Sequence, residues 1–273
     1  MSRRLNNALK LLATSAALAA SSSFAANTTE CTANLKLCYC VNDDFKPVIE
    51  EKVKFYRQQI ADARAKGKAV AYMSLPLSTL GGGFFDVNTE VAKKTKDRIE
   101  ARFGVDSVWV LSPGTKESDL SLPSGARGTN DDYMLMWTTL LEGTDGLGEF
   151  DFVYFAGPGD FARYFGFDGV NDGAKLDAYY DARVKSNPGF AKAVEGGLTK
   201  PAFRRYYLFR ASATVSRGAH DEWNIFRIVN EKRRADPKIG APGQIPILFD
   251  GRGVNPTDQE AAVSEGYVGK CAM

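Results

Sequence analysis

One histidine, His220, is all the imidazole this chain has. That scarcity excludes a zinc site built on two or three imidazoles, and any Ser-His-Asp relay would have to turn on this one residue. No G-x-S-x-G elbow accompanies it; Ser74 and Ser112 stand at expected strand ends without that signature. Lys/Arg blocks are missing too. The densest run, "NEKRRAD" at 230–236, is diluted by its own acids and reads as a solvated helix end. A nucleic-acid polymer and a membrane surface are therefore excluded as partners, leaving a small-molecule ligand. Neither a G-x-G-x-x-G fingerprint nor a Gly-Lys-Ser/Thr phosphate loop is present. No cofactor and no metal are expected, and oligomeric state is left open.

Long apolar runs are also lacking, apart from one at the start. "MSRRLNNALKLLATSAALAASSSFAA" has a charged stretch (Arg3, Arg4, Lys10), an apolar stretch from Leu11 to Ala20 too short to span a bilayer, and the small-x-small triplet Ser23-Phe24-Ala25. These are the parts of a secretory signal peptide, assigned to residues 1–25. Its removal takes three positive charges and no negative ones, so the formal balance moves from +2 to −1 over the remaining 248 residues. That length can bury a substantial core, and no Ser/Pro/Gly linker divides it, so residues 26–273 are read as one α/β domain.

Cysteine is absent between residues 41 and 270. Cys31, Cys38, Cys40 and Cys271 stand at the two ends of the mature chain. In an exported, periplasmic or secreted protein this placement means stapled termini. Cys38 and Cys40 are too close to pair comfortably, so Cys271 reaches back to one of the three in the N-terminal segment 26–43.

Hydrophobic periodicity supplies the fold class. Residues 43–67 carry an apolar stripe at Phe45, Ile49, Val53, Tyr56, Ile60 and Ala63, with Asp44 able to cap, Pro47 in the first turn and Gly67 at the close. Further helices are expected at about 89–103, behind an Asn88-Thr89 cap, at 131–143, in pieces over 172–203, and from His220 to Asp236. Five strands are expected at 69–77, 107–114, 152–156, 205–216 and 245–251. Short apolar strands alternating with helices make a single three-layer, Rossmann-like α/β domain with a mostly parallel sheet.

In such sheets ligands bind outside the carboxyl ends of the strands. Those ends carry the candidate site. Gly81-Gly82-Gly83 is either a mobile turn or a cradle for an anionic or hydroxyl-rich group. Ser74, Gly159 and Arg217 are further ligand-binding candidates. Asp160, in "AGPGD", is either a helix cap or a general acid/base. His220, Asp221 and Glu222 sit together at a helix start, where the dipole favours the acids with or without a function. Asp131-Asp132 and Glu142 bracket an apolar helix, and Asp132 completes the catalytic candidates.

The order "AVAYMSLPLS", "VWVLSPG", an acidic helix start and "DFVYFAGPGD" resembles the nucleoside deoxyribosyltransferase-like and cytokinin-activating nucleotide-hydrolase-like Rossmannoid group over residues 69–165. The resemblance implies an enzyme that hydrolyses or transfers an N-glycosidic bond of a small polar, nucleotide-like molecule with a carboxylate; the signal segment makes it an exported one. No D-x-G-T-x-x-E follows the third strand and no P-G-G-x-G-T-x-x-E is present, so the nucleophile is unassigned, with Asp132, Glu142 and Asp160 as replacements. The other reading is a non-catalytic periplasmic binding or envelope protein.

Mass spectrometry of the exported protein is expected to find a mature N-terminus at or near Ala26 and a peptide joining Cys271 to Cys31, Cys38 or Cys40. Four free thiols would overturn the staple.

Overall fold

Strands that lack polar alternation need cover on both faces, and every central strand here is of that kind. The computed structural model describes residues 26–263 and 266–272; the expected signal segment, 1–25, lies outside them. The chain opens with a hairpin, β1 (Asn27–Cys31) and β2 (Cys38–Asn42), followed by α1 (Lys46–Ala65) and β3 (Ala69–Ser74). Then come α2 (Phe85–Phe103), β4 (Val108–Leu111), α3 (Asn130–Leu141) and β5 (Phe152–Phe155). Four helices follow without a strand between them: α4 (Pro158–Phe165), α5 (Asp172–Ser186), α6 (Pro188–Glu195) and α7 (Lys200–Phe209). The last elements are α8 (Arg217–Ala235), β6 (Ile247–Phe249), β7 (Arg252–Gly253) and α9 (Pro256–Gln259).

The sheet has five strands in the order β4-β3-β5-β6-β7. β4, β3, β5 and β6 are parallel, and β7 closes one edge antiparallel to β6. The chain moves outward from β3 to β4 and then returns past β3 to β5, so the winding reverses between β3 and β5. There Ser74 is level with Phe155, and the Ala156 N–H donates to the Ser74 carbonyl at 2.9 Å. Reversal points of this kind open a crevice at the strand ends.

Alternate strand residues enter two separate apolar cores. Val70, Tyr72, Leu111, Val153, Phe155 and Ile247 pack with residues of α1, α3 and α8. Ala71, Met73, Val108, Val110 and Tyr154 pack with α2 and with Phe161, Phe190, Phe203 and Tyr207 from the helices after β5. The stripe expected on α1 is buried at Ile49, Val53, Tyr56, Ile60 and Ala63.

Two expectations need correction. Residues 205–216 are not a strand: Lys200–Phe209 is helix α7, and Ala213–Val215 is a single 3-10 turn. The aromatic run suggested a strand, yet Phe203, Tyr206 and Tyr207 are buried at the spacing of a helix face, and Thr199 caps the helix ahead of Pro201. The N-terminal segment, for which the sequence suggested no element, is a hairpin whose Tyr39 and Val41 pack onto α3. Helix α2 begins at Phe85, which places Asn88 inside the first turn, buried, where its side chain bonds Tyr207 and the Ser78 carbonyl instead of capping.

Cys31 bridges to Cys38 across the hairpin, and Cys40 to Cys271 over a sequence separation of 231. The second bridge encloses nearly all of the described chain. Replacing Cys40 and Cys271 together by Ser is expected to lower stability by about 3–5 kcal/mol in the chain-entropy picture. Denaturant unfolding of the double variant checks this, and a loss under 1 kcal/mol would show that the termini are held by packing alone.

Candidate functional site

Five acidic side chains are buried among the described residues: Asp132, Glu142, Asp160, Asp221 and Glu222. A buried carboxylate is costly unless donors surround it, so its partners show what each one does. Asp132 stands in the first turn of α3 and accepts the Thr129 N–H at 2.7 Å, the Thr129 hydroxyl at 2.8 Å and the Asn42 N–H at 3.0 Å. It caps the helix and ties it to the hairpin. Glu142, at the other end of α3, accepts the Asn34 and Leu35 N–H groups of the hairpin turn, the latter at 2.8 Å.

Asp160 stands in the first turn of α4. Its carboxylate accepts the Gly157 N–H at 3.1 Å, the Tyr154 hydroxyl at 2.9 Å and the Arg163 guanidinium at 3.0 Å, and it is paired with Arg98 of α2. Burial pushes its pKa up, with the Gly157 and Tyr154 donors and Arg98 acting the other way. The "GPGD" break has a packing explanation. Asp250, itself at φ +50°, lies against the loop and accepts the Gly159 N–H at 3.0 Å. A Cβ on Gly157 would come within 2.5 Å of the Asp250 Cβ, and one on Gly159 within 2.6 Å of both its carboxylate oxygens. Sequence reasoning missed Asp250, Arg98 and Arg163 as the partners of this motif: Asp250 and Arg98 come from segments remote in sequence, and Arg163 from the next turn on the same face of α4.

Helix α8 starts at Arg217, three residues before the expected start, so His220 ends its first turn and Asp221 and Glu222 stand in the second. His220 Nε2 lies 2.9 Å from the Thr214 carbonyl. Arg217 donates to the Gly266 carbonyl at 2.7 Å and lies over the Tyr267 ring. Asp221 accepts the Tyr267 N–H at 2.6 Å, and burial raises its pKa against that bond. Arg217 and Asp221 thus fasten the C-terminal segment to α8, while His220 reaches back to the turn before the helix.

Glu222 is different. It points from α8 to the end of β3, where the Tyr72 hydroxyl donates to Oε1 at 2.5 Å. Ser74, one strand position further toward the carboxyl end on the same face, is close enough to favour the charged form, yet its buried hydroxyl completes no hydrogen bond of good geometry. No Lys or Arg pairs with Glu222 among the described residues. Burial dominates, and the carboxyl pKa is pushed up to about 7. Tyr72 is raised for the same reason, reinforced by the neighbouring acid. Strand end and winding reversal meet opposite the second turn of α8 at this group.

Gly81, Gly82 and Gly83 follow β3 and turn toward the other core. Their loop lines an open groove of about 570 Å³ together with Phe84, Phe85, Leu198, Ala202 and Arg205. The sheet therefore stands between the Glu222 side and the Asp160 and Gly81–Gly83 side, and the candidate residues form two groups where one cleft had been expected. No group of three or more His, Cys, Asp or Glu among the described residues is placed to hold a metal. No described helix is long and apolar enough to cross a membrane. No family model, curated protein or solved structure matches this chain.

The raised pKa has a consequence for stability. A carboxyl that titrates near 7 when folded, but near 4.3 when unfolded, binds its proton more tightly in the folded state. Its contribution is fully present below about pH 4.3 and is lost as pH rises through 7, a swing of about 4 kcal/mol. Glu222→Gln, which mimics the protonated form, is expected to be increasingly more stable than the parent between pH 5 and 8. Denaturant unfolding across that range measures the difference, and parallel profiles would refute the shift.

Proposed function

We propose that this is an exported enzyme, periplasmic or secreted, with a three-layer Rossmann-like α/β domain, that hydrolyses or transfers an N-glycosidic bond of a small, nucleotide-like molecule. Glu222 is the reacting carboxylate. The observation that carries the reading is the environment of that one side chain: buried at the carboxyl end of β3, held by the Tyr72 hydroxyl and titrating near 7. A carboxyl poised near the working pH supplies both protonation states, which acid/base chemistry needs. As nucleophile its ionised form would attack the anomeric carbon as the bond to the base breaks, the departing base taking up a proton; water or an acceptor hydroxyl then resolves the ester. Tyr72 orients the carboxylate, and the Ser74 hydroxyl is the neighbouring group available to a sugar hydroxyl. The export half of the proposal is supported by the two disulfides, which belong to an oxidising compartment.

A second reading, a non-catalytic binding protein, is favoured by one observation. Asp132, Asp160 and Asp221 are already engaged by backbone amides and neighbouring side chains, so the acids offering proton chemistry reduce to Glu222.

The test is base release from a panel of nucleosides and nucleoside monophosphates by the mature protein, followed by chromatography. Turnover that falls a hundredfold or more in Glu222→Gln, the scale of acid/base contributions, with the fold intact, is the expected result. Binding without turnover would favour the second reading, and neither binding nor turnover would overturn both.

A further inference from the structure

We infer that the groove beside the Gly81–Gly83 loop is a second binding site, for a small monoanion with an apolar body such as a medium-chain or aryl-substituted monocarboxylate. It lies on the α2, α6 and α7 side of the sheet, away from Glu222, and the inference does not rest on the reading of that residue.

The volume, about 570 Å³, falls among those of small-molecule sites. One wall is held rigidly. A Cβ on Gly82 would come within 2.3 Å of the Ala202 carbonyl oxygen, and one on Gly83 within 2.8 Å of the Tyr206 ring, so the loop lies backbone-first on α7. Side chains lock it there: the Tyr206 hydroxyl donates to the Ser78 carbonyl at 2.9 Å, and the Phe84 N–H donates to the Tyr207 hydroxyl at 3.1 Å. A wall fixed before binding spares the ordering cost that a mobile loop would impose.

The lining sets the ligand's chemistry. Phe84, Phe85, Ala193, Leu198 and Ala202 give an apolar surface, and Phe85 is 51% exposed there. Arg205 is the one ionised side chain in the lining, which holds no acid. Its neighbours on α7 are neutralised, Arg204 by Asp177 and Lys200 by Asp181. Arg205 makes no ion pair among the described residues. Arg210, one turn on, lays its guanidinium against Gly81 at the groove's edge, 3.0 Å from where a Cβ would stand. Unpaired positive charge beside apolar walls is complementary to a carboxylate carrying a hydrocarbon or aromatic portion. A phosphate dianion would call for a denser set of donors than one lining guanidinium supplies.

The experiment is isothermal titration of the mature, oxidised protein with octanoate, phenylacetate and inorganic phosphate. At least one of the two carboxylates is expected to bind saturably with one-to-one stoichiometry, and phosphate not to bind. Arg205→Gln is expected to weaken binding about tenfold or more, the loss of a charge-assisted hydrogen bond. Ala193→Phe, which fills the groove from α6, is expected to abolish it, with thermal unfolding as the check that the variant folds. Should that variant not fold, Arg205→Gln decides alone. Glu222→Gln is expected to leave the affinity unchanged. No binding of either carboxylate, binding that survives Arg205→Gln, preference for phosphate, or loss of binding in Glu222→Gln would each overturn the inference.

Discussion

Burying both faces of a short parallel sheet leaves only the strand ends for polar chemistry, and much else in this molecule follows from that constraint. Tyr72 and Met73 are adjacent in sequence, yet they enter different cores, each without solvent exposure. Helices on each side close off the strand faces. Backbone and side-chain polar groups can then emerge only where β3 and β5 stop, and there the winding reverses. Ser74 and Glu222 are in that position, whereas Asp160 and the glycine loop leave the same strand ends toward the opposite face.

The five buried acids show how differently one kind of residue is used. Asp132 and Glu142 hold the hairpin to the two ends of α3, Asp160 joins α4 to α2, and Asp221 fastens the C-terminal segment. Each has backbone N–H donors, and Asp160 has arginines as well. Glu222 has a single strong donor, Tyr72, and a raised pKa. A folded chain that keeps such a group at neutral pH gives up stability for it, and under the proposed function that loss is the cost of a reacting carboxylate.

Glycine-rich loops in this fold answer first to packing. Gly157 and Gly159 make room for Asp250, while Gly82 and Gly83 let the loop after β3 lie flat on α7. The abrupt end of the run through Phe155 therefore records the approach of another chain segment. The groove beside the second loop is a consequence of that seating, since a bulkier loop would stand off from α7 and rearrange its wall.

What the sequence determined by itself was local or compositional. The stripe on α1 fixed a helix and its buried face; the unalternating runs at 69–77 and 152–156 required strands covered on both sides, of which 69–74 and 152–155 are strand; cysteines confined to the two ends required a long-range bridge if oxidised. Each follows from periodicity or position along one chain. Residues 200–209 show the limit: their aromatics suit a strand, but burial at helical spacing and the Thr199 cap decided for a helix. The pairing of Cys40 with Cys271, the sorting of acids into fasteners and one unpaired carboxyl, and the separation of the candidate residues by the sheet were decided by the tertiary structure alone. The physical reason is that a carboxylate's pKa and role depend on which donors surround it. The donor to Glu222, Tyr72, is 150 residues away, and Arg98, which joins the local donors around Asp160, is 62 away.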